Sequence, residues 1–493
     1  MVFLSGSASF GVIRQWVIYQ RLAYGYNVCM KQNHNEYLSP FSWRYGSEKM
    51  RMIWSEKNKR LLWREIWAAL AEVQADFGLV TVEQAADLRA HKNEVDMQRA
   101  LEIEAQIHHD LMAELKVFAE QSQQGGKILH LGATSADIQD NSDALRMRAS
   151  MDLVLEKLGE LLLVLAQKIE TWSETPIIAF THLQPAEPST LGYRLAVYAQ
   201  DLLFDFVTIK SNRKAIKGKG FKGAVGTGAA YSELIGKDKF AEFEDKISSR
   251  LDLPFYPVTT QIYSRKQDYQ VLCGLSGLGA SLHKFALDLR ILQSPVIGEL
   301  SEPFGDQQVG SSAMPFKRNP INAEKIDSLA RLLAQAPRTA WDNAAHSALE
   351  RTLDDSANRR VILPESFLIA DELLITSFAI IKGLQVYETA LERNLSTYGQ
   401  FAGVERVLMA LAKSGADRQV MHERLRGHSM QAWSDVRETG SNTLEERMLN
   451  DPEILEYIPE EKLAGLMDVR AYVGDAPERA KRLAGEIRAK VLD

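Results

Sequence analysis

Apolar residues recur every three or four positions along most of the chain, which is the spacing of helices that bury one face. Three of these segments are much longer than an ordinary helix, and they run over residues 143–172, 189–217 and 268–293. Periodic segments near or above about 25 residues predict a bundle of long helices of the kind that assembles with other chains.

Shorter helical patterns flank these segments and carry recognisable ends. Gly78 is expected to end the first helix, because glycine favours the left-handed conformation found there. Thr81 and Gln84 predict a capping box at the start of the next helix. Pro364 is expected at the first position of a later helix, where its missing N–H costs nothing. Further helices are predicted over residues 94–122, 322–336 and 364–381.

Strand patterns are scarce. The only β-rich run is FYPVTTQIY, residues 255–263. From residue 388 onward the helices become shorter and more charged, which indicates a separate C-terminal domain. The sequence therefore predicts a mainly α fold of three domains behind an N-terminal extension. The predicted divisions are the extension 1–36, an N-terminal helical domain 37–134, a central long-helix bundle 135–386 and a C-terminal helical domain 387–493.

The N-terminal extension has its own composition. Residues 1–35 contain no acidic side chain but include Arg14, Arg21 and Lys31. Arginine and serine without acids are typical of transit peptides. The favoured alternative is that the sequence as given starts upstream of the true initiator, Met30. The extension is then expected to be disordered or not native. We leave this segment out of the fold prediction.

Composition narrows the classes of function. The chain has 58 basic and 65 acidic residues, a net charge of -7, which argues against a nucleic-acid binder. A small anionic substrate can still bind at a local cluster of arginine and lysine. Two cysteines, Cys29 and Cys273, suit a reducing compartment, so we expect a cytoplasmic protein. Apolar runs are too short to cross a membrane, and Cys pairs or HExxH motifs for zinc are lacking.

Polar, glycine- and proline-rich segments between the long helices are the candidates for chemistry, because catalytic residues concentrate in loops on a rigid scaffold. Five segments stand out. They are HLGATSADIQDN (130–141), THLQPAEPST (181–190), KGKGFKGAVGTG (217–228), GSSAMPFKRNP (310–320, hereafter the signature loop) and ERTLDDSANRR (350–360).

The residues alone leave each segment open to two interpretations. His182 is expected in a non-helical connection, where it could be a general acid or base or simply a loop histidine bonded to backbone. The pair His109 and Asp110 could be functional or a solvated pair on a charged helix face. The arginines of 350–360 could clamp an anion or form an ion-pair network with Asp354 and Asp355.

The segment 217–228 does not fit a phosphate-binding loop, because no GK[ST] stands at the required spacing and no strand precedes it. Its glycines allow close approach of the backbone to neighbouring helices or to a ligand. A flexible structural link is an equally good interpretation.

Taken together, the segments resemble a known family. SSAMPFKRNP is similar to the loop of the fumarase/aspartase superfamily, whose members eliminate fumarate from succinyl compounds. The other motifs, with SRKQD (264–268), resemble the adenylosuccinate lyase family in particular. The resemblance runs from about Tyr37 to the C-terminus, in order and with compatible spacing. It implies a three-domain fumarase/aspartase-like fold in which the central bundle forms the core of a tetramer.

The resemblance also implies a reaction. A base removes a proton from the succinyl carbon beside a carboxylate, and an acid protonates the departing nitrogen. Ser311 matches the base and His182 the acid, with Ser312 the competing hydroxyl. An alkoxide needs nearby positive charge and N–H donors. Lys317 supplies charge, and Asn319 can donate to the substrate carboxylate.

Substrate-binding roles are carried over in the same way. Arg351, Ser356 and Arg360 match the motif that holds the nucleotide, largely through its phosphate. Arg351 and Arg360 would point in opposing directions on one ideal helix, so we expect a turn between them. Lys325 departs from the family, which carries arginine there. The remaining matches are Arg44, Tyr45, His108, His109, Asp110, Thr134, Ser135 and Gln261.

The family comparison implies a homotetramer with active sites shared between subunits. It implies small-molecule nucleotide substrates, no cofactor, no metal, no nucleic acid and no membrane partner. Two alternatives remain at this point. One is another fumarate-releasing lyase such as argininosuccinate lyase, and the other is a catalytically inactive helical homologue. The presence of both Ser311 and His182 argues against an inactive homologue.

Overall fold

The computed structural model describes residues 35–492. The expectations for the N-terminal extension fall almost entirely on residues 1–34 and so lie outside the described residues. The described chain is mainly α-helical, as predicted, with a few short strands.

The elements follow in chain order. The helices are α1 (Glu48–Ile53), α2 (Glu56–Asp76), α3 (Val82–His91), α4 (Met97–Ile107), α5 (Asp110–Gln121), α6 (Ser135–Thr171), α7 (Leu191–Ala215), α8 (Ala229–Ile235), α9 (Phe240–Arg250), α10 (Lys266–Leu292), α11 (Ile321–Leu333), α12 (Ala336–Ala345), α13 (Ser356–Lys382), α14 (Glu388–Lys413), α15 (Arg418–Thr439), α16 (Leu444–Leu449), α17 (Pro452–Leu455), α18 (Glu460–Met467) and α19 (Ala476–Leu492). The strands are β1 (Pro176–Thr181), β2 (Gln184–Thr190), β3 (Leu300–Ser301) and β4 (Gln385–Val386).

The chain divides into two compact units. Within the described residues, unit one contains 35–158, 205–280 and 328–375, and unit two contains 159–204, 281–327 and 376–492. The three-domain division made from the sequence stays a prediction. Among the described residues, no helix is both long enough and apolar enough to cross a membrane.

The long helices occur where the apolar periodicity predicts them. Helices α7 and α10 begin and end within two residues of the predicted positions, whereas α6 begins at Ser135, eight residues earlier than predicted. The capping box at Thr81 and Gln84 is confirmed, since each side chain accepts the other's backbone N–H. Gly78 follows the end of α2 with a left-handed backbone, φ 72°, as predicted.

Two helix predictions are wrong. The predicted helix 94–122 is two helices, because His108 takes a left-handed conformation with φ 54° and ends α4. The His109 ring then caps α5 by accepting the backbone N–H of Met112. Pro364 lies inside α13 and not at its start. The helix tolerates the loss of the hydrogen bond that residue 364 would otherwise donate to the carbonyl of Arg360.

The β-rich run 255–263 does not form a strand. Its backbone forms only an isolated bridge between Gly218 and Phe255. The N–H groups in this run bond elsewhere, since Tyr263 donates to the Asp140 carboxylate at 2.8 Å and Gln261 to the Glu350 carbonyl at 3.2 Å. Pairing instead occurs in the antiparallel hairpin β1–β2 and in the two-residue ladder β3–β4.

Candidate active site

His182 lies at the tip of the β1–β2 hairpin, in the non-helical connection that the sequence predicts. Thr181 and Gln184 pair across the strands, so His182 and Leu183 are the two residues of the turn. Their φ angles are 54° and 59°. Such a turn ordinarily contains Asn-Gly, because only small or polar residues adopt positive φ cheaply. Both side chains are exposed. We call this element the His182 hairpin.

The backbone strain at this turn is a property of functional sites more often than of structural ones. Two non-glycine residues in the left-handed region cost roughly 1–2 kcal/mol each. A histidine and a leucine persist there only if the surrounding structure fixes the turn. The strain therefore favours the functional interpretation of His182 over a histidine that merely fills a loop.

Ser311 lies in the signature loop with its hydroxyl directed at its own backbone. Its Oγ accepts the N–H of Met314 at 3.0 Å and the N–H of Ala313 at 3.4 Å. Ser311 is half-buried, whereas Ser312 is exposed. Two N–H dipoles directed at one oxygen stabilise negative charge on it, which is one of the two requirements for a serine base.

The signature loop folds back on itself. Asn319 Nδ2 donates to the Gly310 carbonyl at 3.0 Å, which joins the two ends of the loop. A Cβ at Gly310 would collide with the backbone carbonyl of Lys317, so this crossing requires glycine. The Arg318 guanidinium covers the Phe304 ring, 5.1 Å from its centre. Ser311, Lys317 and Asn319 thus belong to one compact loop.

Two side chains hold the base of this loop. The buried Glu302 carboxylate accepts the N–H of Asn322 at 3.1 Å and that of Ala323 at 2.9 Å, at the start of α11. Burial raises the pKa of Glu302. The Gln293 side chain accepts the N–H of Glu302 and donates to the Arg318 carbonyl at 3.0 Å. The loop is therefore fixed at both ends, and Lys325 follows one turn into α11.

In unit one the structure brings Asp110 and Arg360 together. Arg360 Nη2 donates to Asp110 Oδ2 at 3.1 Å, and Gln139 donates to the other carboxylate oxygen at 3.3 Å. His108 and His109 connect α4 to α5 immediately before Asp110. The pair His109–Asp110 lies at the junction of two helices, where His109 is exposed and Asp110 pairs with Arg360.

His130 was not singled out from the sequence, and the structure adds it to this group. Trp67 Nε1 donates to His130 Nδ1 at 3.0 Å, so the proton of the neutral ring is on Nε2. Burial, and secondarily the nearby His109, lowers the pKa of His130 to about 4. His130 is thus a neutral ring with a fixed N–H donor near neutral pH. Its φ of 69° is another strained position.

Thr134 and Ser135 lie at the start of α6, where a buried carboxylate orders the turn. Asp137 accepts the Thr134 N–H at 2.9 Å and the N–H groups of Lys222 and Gly223. The buried ammonium of Lys219 pairs with the same carboxylate. Burial nevertheless raises the pKa of Asp137. The glycine-rich segment 217–228 therefore packs its backbone against the start of α6, which is a structural role.

Arg351 is connected to a buried ion-pair network. Its Nη1 donates to Asp355 at 2.7 Å, and the other Asp355 oxygen accepts from the buried Arg265 at 2.6 Å. Arg265 also binds both oxygens of Asp140 on α6. The expected turn between Arg351 and Arg360 is present, because α13 begins only at Ser356. Arg351 and Asp355 thus form the kind of ion pair that the sequence left open as the alternative to an anion clamp.

Gln261 and the Arg44–Tyr45 segment are fixed by separate contacts in unit one. The Gln261 N–H donates to the Glu350 carbonyl, which places Gln261 beside the residue that precedes Arg351. The residues after Tyr45 donate to α13, where Gly46 and Ser47 bind the carboxylates of Glu372 and Asp371. Ser311, His182, Lys317, Asn319 and Lys325 belong to unit two, and the other predicted site residues belong to unit one.

Comparison with known proteins decides the family. A family model described as Lyase matches residues 30–333, and one described as Adenylosuccinate lyase C-terminus matches residues 401–483. The adenylosuccinate lyase of Saccharomyces cerevisiae is 38% identical over 458 residues, which cover 91% of this chain and 94% of the yeast protein. The chain belongs to the adenylosuccinate lyase family.

Other relatives and solved structures agree with this membership. The adenylosuccinate lyase of Schistosoma mansoni is 38% identical over 84% of this chain and 88% of its own, and that of Pyrococcus abyssi is 36% identical over 89% and 95%. A fumarate lyase from Mesorhizobium sp. BNC1 superposes with a TM-score of 0.79 over 91% of this chain and 99% of its own, at 24% identity. The 3-carboxy-cis,cis-muconate lactonizing enzyme of Pseudomonas putida has a TM-score of 0.81 over 91% and 98%, also at 24% identity. These structures confirm the fumarase-like fold.

Several residues that support the site in this member of the adenylosuccinate lyase family were not identified from the sequence. His130 is the first residue of the segment 130–141, and its position just before Gly132 was the signal that could have identified it. The partners Trp67 and Lys219 lie far from their contacts along the chain. Glu302 lies outside the recognised motif. Only the fold shows which of these residues support the site.

Proposed function

We propose that this chain is an adenylosuccinate lyase, a carbon–nitrogen lyase of purine nucleotide biosynthesis. It would eliminate fumarate from adenylosuccinate to give AMP, and from the succinylated carboxamide ribotide SAICAR to give AICAR. The observation that carries this proposal is the environment of Ser311, whose Oγ accepts two backbone N–H groups within a compact loop. Family membership supplies the substrate class.

Ser311 is the proposed base. Its alkoxide takes the proton from the succinyl carbon beside a carboxylate, and the resulting carbanion delocalises its charge into that carboxylate. The N–H groups of Ala313 and Met314 favour the alkoxide over the hydroxyl. Lys317 adds positive charge, and Asn319 donates to the carboxylate on which charge accumulates.

His182 is the proposed acid. It protonates the nitrogen of the purine or imidazole as the carbon–nitrogen bond breaks and fumarate forms. A histidine suits this step because its ordinary pKa lies near neutral pH. The strained turn places the exposed His182 side chain at the tip of the His182 hairpin.

The remaining residues are proposed to bind the substrate. Thr134 and Ser135 would bind a succinyl carboxylate, and the neutral His130 would donate from Nε2. The nucleotide and its phosphate would be held by Arg351, Ser356 and Arg360. Further contacts are proposed for Arg44, Tyr45, His108, His109, Asp110, Gln261 and Lys325.

The active enzyme is proposed to be a cytoplasmic homotetramer with active sites shared between subunits. An exposed apolar stripe on α7 supports this assembly. Val197, Phe204 and Val207 all lie on the solvent side of that helix, although neighbouring positions are buried. Apolar residues at this spacing on a long helix suit packing against another chain.

The deciding experiment offers purified protein three succinyl substrates and measures fumarate. The proposal expects fumarate from adenylosuccinate and from SAICAR, with little or none from argininosuccinate. Release of fumarate from argininosuccinate alone would assign the chain to a different lyase. No fumarate from any substrate, with a folded protein, would indicate an inactive homologue.

A further inference from the structure

One buried carboxylate in unit two is linked through Arg194 to the His182 hairpin and lies on the segment that leads to the signature loop. Glu299 is fully buried and directly precedes β3, from which the chain continues to the signature loop. Its Oε2 accepts from Arg194 Nη1 at 2.6 Å, and its Oε1 accepts from Asn394 Nδ2 at 2.9 Å. Each carboxylate oxygen therefore has its own N–H donor.

Arg194 extends the connection to the His182 hairpin. Its second nitrogen, Nη2, donates to the Ile178 carbonyl in β1 at 2.8 Å. Strand β1 ends at Thr181, directly before His182. One planar guanidinium thus binds the strand that leads to His182 and the carboxylate that precedes β3. Two fixed donors on one rigid group set the distance between the groups they bind.

The segment that carries Glu299 is fixed along its length. The Glu299 carbonyl accepts the N–H of Tyr387 at 3.0 Å, and β3 pairs with β4 immediately afterwards. Glu302 follows, with its backbone N–H on Gln293 and its carboxylate on the start of α11. A displacement of Glu299 would therefore be transmitted to the base of the signature loop.

We propose that Arg194 and Glu299 are positioning residues that fix the His182 hairpin and the signature loop relative to each other. The proposal rests on the proposed function, since it assumes that His182 and Ser311 are the acid and the base. If active sites are shared between subunits, this ion pair links the acid of one site to the base of another. A defect in one chain would then impair two sites.

The choice of variant follows from the hydrogen bonds. Glu299→Gln keeps the size of the side chain, but an amide has only one acceptor oxygen for the two donors, Arg194 and Asn394. Arg194→Lys keeps the positive charge but replaces the planar fork with a single ammonium group. Asp288→Asn is the matched control. Asp288 accepts hydrogen bonds from Lys284 on its own helix and from Tyr198, which lies one turn beyond Arg194 on α7.

The test measures kcat and KM for adenylosuccinate, together with thermal unfolding and the oligomeric state. Both variants are expected to lower kcat by at least about tenfold, because small misplacements of reacting groups have effects of this size. KM should change less than kcat, because the nucleotide contacts proposed for Arg351, Ser356 and Arg360 belong to unit one. The control should stay near wild type in both constants.

The outcomes separate this inference from the proposed function. A wild-type protein without lyase activity would refute the proposed function and this inference with it. An active wild type with unchanged kcat in both variants would overturn the inference alone. A loss matched by Asp288→Asn, or an equal change in KM, would also overturn it, because a general loss of stability would then explain the result. If Glu299→Gln does not assemble, Arg194→Lys decides.

Discussion

The hydroxyl oxygen of Ser311 lies 3.0 Å from the backbone nitrogen of Met314 and accepts its N–H. This contact distinguishes Ser311 from its neighbour Ser312, which is exposed. In the proposed mechanism this contact favours the Ser311 alkoxide, which a serine base outside a nucleophile elbow requires.

Ser311→Ala should lower kcat by about a hundredfold to ten-thousandfold, the usual contribution of a general base. The matched control is Ser312→Ala, which removes an adjacent exposed hydroxyl and should change kcat far less. Steady-state kinetics on both variants, with the oligomeric state checked by light scattering, measures the difference. A larger loss in Ser312→Ala would transfer the role to Ser312.

His182→Asn tests the acid without disturbing the turn. Asparagine adopts positive φ more readily than other non-glycine residues, so the hairpin should form as before. The variant should lose about a hundredfold to ten-thousandfold in kcat because the side chain cannot donate a proton. Its thermal unfolding should match wild type. Near-normal turnover would remove His182 from the mechanism.

Arg351→Lys tests the phosphate contact. Lysine cannot bind phosphate through two parallel N–H groups, so KM for adenylosuccinate should rise about tenfold to a hundredfold. The nucleoside form of the substrate, which has no phosphate, should show no comparable change. Arg338→Lys is the control, since Arg338 is exposed and pairs with Asp342 on its own helix. Equal effects on both substrates would contradict a phosphate role.

The lowered pKa of His130 predicts that the stability of the protein depends on pH. The pKa of His130 is lowered to about 4 by burial, whereas an unfolded histidine has a pKa of about 6.5. As pH falls from about 6.5 to about 4, the unfolded chain takes up a proton that folded His130 does not, so the free energy of unfolding decreases. The loss approaches about 3 kcal/mol. Urea unfolding at pH 7 and 5 should show a smaller decrease in His130→Gln, and an unchanged decrease would contradict the assignment.

Shared sites predict complementation. A mixture of inactive Ser311→Ala and His182→Asn chains, dissociated and reassembled in equal amounts, should regain activity. If the two residues of a site come from different subunits, each is intact with a chance of one half, so activity should approach about a quarter of wild type. Reassembled tetramers that stay inactive would show that one chain supplies both residues.

The sequence predicts much of the fold because the long helices bury one face over many turns. Helices α7 and α10 end within two residues of their predicted ends, since periodicity accumulates over such lengths. The missed boundary at His108 depends on a side-chain cap and a left-handed residue, which a smooth helical pattern conceals. The missed hairpin β1–β2 includes Pro185 and Pro188, which weaken a strand pattern.

Supporting residues are harder to predict than the residues they support. Ser311 and His182 stand within recognisable motifs, whereas Glu299 contacts Arg194 across 105 positions of sequence. Such a contact has no local pattern, because the fold alone brings the two side chains together. The same holds for Trp67, whose indole N–H determines which nitrogen of His130 bears the proton.

The most direct test of the account is the stoichiometry of adenylosuccinate cleavage by the purified wild-type protein, followed by ultraviolet absorbance and by chromatography of the products. The account predicts AMP and fumarate in equal amounts, with the reaction abolished in Ser311→Ala. Intact adenylosuccinate after prolonged incubation with folded protein, or products other than AMP and fumarate, would contradict it.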